Sequence, residues 1–433
     1  MTEGTPTKLA EMNGPLNLSD PNFGEPVKTN TRSQGANAET RREFRPSFEY
    51  DRNFLGWLRE VNSTLMLSSY KTNYIISIGI TRNKDGRELL SFWLSNFERP
   101  MGLYYDPGNF DKSGEAKASG NSKLVGNSSS DANPSDRKEE SLWVASAIHL
   151  WRFRNQGPIE DDEGSGNGPY DASFEARRMI VTNDIDNHDL VIGDKSGLVW
   201  ASPLFSCLCQ PSNTKSFKLY WKPPWSSRLS AEDRSHVNGV CLRDGEPRYI
   251  TAISRSDVRG GWREHRRNGG VIWDIKDNRL VCSGLSMPHS PRWHKGRLWV
   301  LESGTGYLGY VDFDKVITDA TTGEASFKFV RKAFIPGFLR GLTFVGSKYA
   351  VVGCSQDRHE NIFQGLELGE TLVKHGIPAR CGLYVVDLVS FDVIHNLTFE
   401  APLTEIYDVI GLPGYSRSRL FCDDVTRKYT FED

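Results

Sequence analysis

The sequence predicts an all-β fold, a six-bladed β-propeller closed by pairing a C-terminal strand with an N-terminal three-stranded blade. Three observations predict it. First, a short apolar strand led in by polar residues recurs: HDLVIG from His188, HVNGVCL from His236, HSPRWH from His289, RGLTFVG from Arg340 and EIYDVIG from Glu405. The steps between copies are 48, 53, 51 and 65 residues, the length of a blade made of strands. Second, the first four copies are each followed by a strand ending in small or polar residues: LVWAS, RYITAIS, RLWVLES and YAVVGCS. Third, the two ends of the chain hold complementary fragments of one more blade.

Taken in order, residues 1 to about 45 are rich in Thr, Asn, Gly, Ser and Pro without apolar periodicity, the composition of a disordered tail. One propeller domain is expected over 50–425. Phe54, Leu55, Trp57, Leu58 and Val61 recur at helical spacing, so a short amphipathic helix leads into the fold. LMLSSY, NYIISIGI and ELLSFWLSNF then read as the second, third and fourth strands of a blade with no first strand. MGLYYD from Met101 is a further copy of the recurring strand, 87 residues before His188. Removing the low-complexity insertion at about 106–140 restores the common period. The acidic, Gly-rich GPIEDDEGSGNGP from Gly157 reads as a solvated loop. EIYDVIGL supplies the missing first strand, and pairing the chain ends in one sheet removes an open edge.

Composition limits the function. A net charge of −2 gives no broad footprint for nucleic acid or an anionic membrane surface. No apolar run has the length of a transmembrane helix, and the first twenty residues lack a secretory signal pattern. Seven cysteines without paired spacing suit reduced thiols, so a cytoplasmic location is expected.

In a propeller the first strand of each blade is innermost, and the turns leading into these strands converge on one mouth of the channel. His188 with Asp186, His236 with Asn238, His289, Arg340, and Glu405 with Asp408 are therefore expected on one ring, with Arg99 and Pro100 at the sixth position. Imidazole and carboxylate are natural ligands of a divalent metal such as Fe, Mn, Zn or Ca. The expected ligands are His188, His236, His289 and Glu405, with Asn238 as a further or outer ligand. Arg340 would orient an anionic substrate with Asp408 assisting, or would be held by Glu405 or Asp408 in a fixed ion pair. The plainer alternative is a belt of polar residues bonded around a water-filled channel. WKPPW at Trp221–Trp225 and GGWREHRR from Gly260 read as loops whose Trp and Arg suit recognition of a ligand or protein surface, or whose tryptophans pack over a blade edge. No nucleophile elbow, Walker loop or dinucleotide fingerprint is present.

The motifs HDLVIG, LVWASPLFSCL, WKPPW, EDRSHVNGV, GGWRE, SMPHSPRWHKGRLWVLESGTG, PGFLRGLTF and EIYDVIGLPG resemble a family of mainly bacterial conserved proteins of unknown function. The resemblance spans about Leu55 to Pro413 and implies a propeller-like domain with no established activity. At the level of architecture the chain is similar to gluconolactonase- and strictosidine-synthase-like six-bladed propellers, which bind a divalent metal through Glu, Asn and Asp. Glu405, Asn238 and Asp408 match those residue types. The histidines look more like the channel ligands of carotenoid-cleavage oxygenases.

Two functions follow as expectations. One is a metal-assisted small-molecule site of hydrolase or oxygenase type at the channel mouth. The other is a non-catalytic scaffold that binds a protein partner through its rim and Trp-rich loops. Neither involves nucleic acid or a membrane.

Overall fold

The computed structural model of the protein describes residues 47–108, 140–160, 169–320, 322–356 and 365–421. The tail at 1–45 and most of the insertion at 106–140 lie outside the described residues. Six sheets form the six blades. Blade 1 is the composite one: Asp408–Pro413 pairs antiparallel with Ser63–Ser69, followed by Tyr74–Arg82 and Glu88–Asn96. The chain-end closure read from the sequence is therefore present, in the register Leu67↔Val409 and Leu65↔Gly411.

Blade 2 holds Leu103–Asp106, Ser141–Ala145, His149–Asn155 and Ala172–Val181; blade 3 begins at Leu190–Gly193, blade 4 at Val237–Arg243, blade 5 at Pro288–His294 and blade 6 at Phe338–Val345. The helix expected after the N-terminal tail spans Phe54–Val61 and buries Phe54, Trp57 and Leu58 against blades 1 and 6.

Two strands were not legible in the sequence. Phe48–Tyr50 adds to the outer edge of blade 6, and Ser418–Phe421 runs parallel to Ala172–Glu175 at the outer edge of blade 2. The chain ends thus tie three consecutive blades together. A second helix, Glu367–His375, follows the second strand of blade 6. Among the described residues no helix is long and apolar enough to cross a membrane.

Around the axis, the blades interlock in alternating fashion. First strands of neighbouring blades face each other without forming a common sheet, so their inward N–H groups need other acceptors. Blades 1, 3 and 5 supply them from one equivalent position. Asp408 Oδ2 accepts from Leu103 N of blade 2 (2.9 Å), Asp189 Oδ2 from Val240 N of blade 4 (3.2 Å), and Ser290 Oγ from Gly341 N of blade 6 (3.0 Å). Close approach on the other side relies on missing side chains. A Cβ at Gly102 would lie 2.4 Å from the His188 carbonyl oxygen, and one at Gly341 (φ 79°) 2.5 Å from Val409 N.

Candidate functional site at the channel mouth

The turns leading into the first strands of blades 3, 4 and 5 hold unusual backbone. Asp186 (φ 59°), Asp233 (47°), His236 (53°), Met287 (48°) and Ser290 (50°) are all left-handed without being glycine. Each such residue costs about 1–2 kcal/mol, and strain of this kind gathers where side chains must be aimed. Here it aims imidazoles. His188, His236 and His289 are each only 4% exposed and reach the same mouth.

The ring of side chains can be followed by contact. His188 meets His236 edge-on at 5.6 Å and Tyr407 edge-on at 5.3 Å between ring centroids. The Arg340 guanidinium lies 5.1 Å from the Tyr407 ring and 5.8 Å from the Phe338 ring, and Phe338 packs against His289. Asp189, Asn238, His289, Ser290, Arg340, Tyr407 and Asp408 enclose a cavity with room for about one water.

The partners of each imidazole decide its tautomer. His236 Nδ1 is 2.9 Å from Asp233 Oδ1, and the other oxygen of Asp233 accepts from Trp262 Nε1 (2.6 Å). A carboxylate can only accept, so Nδ1 carries a proton and donates it to Asp233. His289 Nδ1 faces the Met287 carbonyl at 2.8 Å, and Ser303 Oγ at 2.9 Å already gives its own proton to the Leu339 carbonyl. Its Nδ1 carries a proton by the same argument. Both Nε2 atoms are buried and neither has a hydrogen-bond partner among the described residues. Leaving such an atom unsatisfied costs roughly 1–3 kcal/mol. The structure carries that cost at both imidazoles.

Burial, the Arg340 charge and the neighbouring His236 hold the His289 imidazole well below the usual histidine range. Burial, His236 and Arg340 do the same to His188. Both stay neutral. Burial pushes the Tyr407 phenol well above its ordinary range, so it remains protonated. Burial also raises Asp186 to about 6, against the pull of Arg99 and His236.

Beneath the imidazoles lies a second layer of which the sequence reading named only Asp408. Arg292 reaches from blade 5 to Asp189 of blade 3 through two bonds (2.7 and 3.1 Å), and stands 3.7 Å from Asp408 of blade 1. The Asp–aliphatic pattern in DLVIG and DVIGL, following His188 and Tyr407, was the available signal for both carboxylates. Asp233, three residues before His236 in DRSH, was equally visible.

Several expected ligands are committed elsewhere. Asn238 spends both ends of its amide, donating to the Pro288 carbonyl (3.1 Å) and accepting from Thr251 Oγ1 (2.7 Å). Glu405 Oε2 accepts from Ser69 Oγ (3.1 Å) and Lys71 N (3.2 Å), bracing a turn of blade 1. Asp408 holds two backbone N–H groups and faces Arg292. Arg99, at the sixth position, pairs with Asp184. Among the described residues no three His, Cys, Asp or Glu side chains are grouped to hold a metal. The permanent positive charge of Arg340 beside the imidazoles also opposes a second cation. Among the described residues the expected divalent-metal ligands are thus not brought together into one set.

The tryptophan loops take the packing alternative. Trp262 is fully buried and stacks on His236 at 4.5 Å, and Trp225 packs edge-on against Trp273 of blade 4 at 5.1 Å. These rings build the mouth and a blade interface rather than an exposed recognition surface.

The chain belongs to the family described as a domain of unknown function (DUF4915), which covers residues 52–421. No curated protein matches it. Among solved structures it is similar to a candidate gluconolactonase (13% identity, 63% of this chain and 86% of that one, TM-score 0.34). It is also similar to a catalytically inactive virginiamycin B lyase from Staphylococcus aureus with quinupristin (11% identity, 81% and 99%, TM-score 0.35). A third is a PQQ-bound aldose sugar dehydrogenase from Streptomyces coelicolor (12% identity, 78% and 91%, TM-score 0.36). The loose architectural similarity to gluconolactonase-type propellers reappears here. Scores this low carry no argument about activity, and the fold assignment rests on the six sheets themselves.

Proposed function

For this member of a family without an assigned activity, we propose an enzyme that performs general-base chemistry on a small anionic molecule at the channel mouth. His236 is the proton acceptor. The observation that carries the reading is its bare, buried and unpartnered Nε2, backed on the far side of the ring by Asp233. A proton from the substrate, or from a water that attacks it, passes to Nε2. The Asp233 carboxylate then stabilises the imidazolium that forms and prevents the ring from turning. Trp262 fixes Asp233 through its indole N–H. Arg340 draws the anion in and faces the negative charge that proton removal creates. Tyr407, held protonated, is a donor on the same ring.

Ile253, Trp262, Met287, Phe338 and the helix residues Leu368 and Leu372 form one apolar cluster, in which Trp262 and Phe338 pack on His236 and His289. Substrate entry displaces part of this cover, a common way of excluding water from a site. Six buried free cysteines among the described residues suit a reducing compartment, so the same proposal places the enzyme in the cytoplasm.

The test is to incubate a bacterial small-molecule extract with wild type and with His236→Gln, and to compare the two by mass spectrometry. The reading expects an anionic compound consumed by wild type and spared by the variant. Equal consumption by both removes His236 from the chemistry.

A further inference from the structure

We propose that the helix Glu367–His375 is a hinged lid over the channel mouth, latched shut by two ion pairs; this rests on reading the mouth as a small-molecule site. The cavity lined by His289 and Arg340 has room for only about one water. A substrate therefore reaches it only when part of the cover moves. Ile253, Met287 and Phe338 lie on or beside blade strands, and Trp262 is tied to Asp233. Leu368 and Leu372 complete the same apolar cluster from a helix that belongs to no sheet. Undocking that helix uncovers Trp262 and Phe338, which pack on His236 and His289.

Its attachments suit reversible docking. The helix is nine residues long, has no side-chain cap at its N-terminus, and is too short to be stable alone. It follows the second strand of blade 6 and reaches over blades 4 and 5. Leu368 N donates to the Gly304 carbonyl of blade 5 (2.9 Å). Arg267 of blade 4 binds both oxygens of Glu370 (2.7 and 2.9 Å), and Arg331 of blade 5 binds both of Glu367 (2.6 and 3.1 Å). These four side chains are 38% to 57% exposed, so parting them strands no buried charge. Arg331 also keeps Glu302 of its own blade at 2.7 Å when Glu367 leaves. Gly365 (φ 78°) and Gly376 (φ 63°) flank the helix, and a Cβ at either would meet nothing within 4 Å. That is the backbone freedom a hinge uses.

The experiment is hydrogen-exchange mass spectrometry of the full-length protein at low salt and in about 1 M NaCl, where surface charges are screened. It is paired with labelling by diethyl pyrocarbonate, a reagent that attacks an unprotonated imidazole nitrogen. Amides of residues 366–376 should exchange through local opening, well ahead of the strand Tyr349–Ser355 in the same blade. High salt and Glu370→Gln should each raise helix exchange about two- to fivefold, the size of one half-exposed ion pair. Labelling of His236 and His289 should rise by the same factor, while the exposed His265 stays unchanged. The wild-type salt series stands without the variant should it fold poorly.

Helix amides that exchange no faster than Tyr349–Ser355 would overturn the proposal, since the helix would then move only with its whole blade. Faster helix exchange with unchanged labelling of both imidazoles would overturn it too, because something else would be covering them. Exchange and labelling that ignore both salt and Glu370→Gln would overturn the latch. Failure of the lid is separable from failure of the base. These readouts need no turnover, whereas turnover by His236→Gln sinks the base and leaves the lid standing.

Discussion

Replacing Arg292 with Met should be among the most damaging single changes in the propeller, and its cost should depend on pH in a defined direction. The Arg292 side chain is 21% exposed, while its partners Asp189 and Asp408 are 7% and 3% exposed. Methionine fills much of the volume but leaves two carboxylates close together without a cation. Breaking a buried pair from one side costs about 3–5 kcal/mol. That cost has an escape, because the carboxylates can take up protons. Burial already raises Asp408 to about 7 despite Arg292, and losing the cation raises it further. A carboxyl whose folded pKa lies above its unfolded value penalises folding at high pH and stops doing so as pH falls. The gap between wild type and Arg292→Met should therefore be full at pH 8 and shrink by up to about 1.4 kcal/mol per unit on acidification. Urea unfolding followed by tryptophan fluorescence at pH 8, 7 and 6 measures it. Adding Asp189→Asn and Asp408→Asn to the variant should recover part of the loss at pH 8. A loss below about 1 kcal/mol, the range of an exposed pair, would refute the reasoning, and so would a gap that widens in acid.

Three further outcomes follow from the same structure. Gly341→Ala places a Cβ 2.5 Å from Val409 N at φ 79°; conformational strain and overpacking together predict a loss of about 2–4 kcal/mol in urea unfolding, and a neutral result would contradict the close approach of blades 6 and 1. His289 is held well below its usual range by burial, so wild type loses about 1.4 kcal/mol per pH unit below about 6.5 from this residue. The stability difference between wild type and His289→Gln should narrow by that amount between pH 6 and 5, and a constant difference would show that His289 protonates in the folded state. Asp233→Asn keeps a similar shape but removes the carboxylate behind His236, and should lower turnover of the extract-derived substrate at least about a hundredfold with little change in KM; unchanged turnover would make Asp233 merely structural.

Much of this architecture was legible because a blade is a local repeat. Apolar alternation and turn residues within some fifty positions specify four strands, and the orphan strands at the two chain ends could only complete each other. Phe48–Tyr50 and Ser418–Phe421 escaped notice for the opposite reason: each is short and joins a sheet whose other strands lie far away in sequence. The three histidines at one mouth were visible from their shared place in the repeat, although their offsets differed. The left-handed residues at His236 and Ser290 account for that difference, since a left-handed residue breaks the two-residue alternation of a strand. What each polar group bonds could not be read, because those partners come from neighbouring blades. Asn238 and Asp408 carried ligand-type side chains, yet ring closure assigns them to backbone groups and to Arg292. Arg292 sits inside HSPRWH, where the histidine drew attention and the arginine did the joining.

The most direct test of the central claim is the protonation of the two mouth imidazoles, read by ¹⁵N–¹H NMR of histidine-labelled full-length protein at neutral pH, with His236→Gln and His289→Gln providing the assignments. The account predicts that His236 and His289 each carry a single proton on Nδ1 and a bare Nε2. A proton on Nε2 of His236, or a doubly protonated ring at either position, would contradict it.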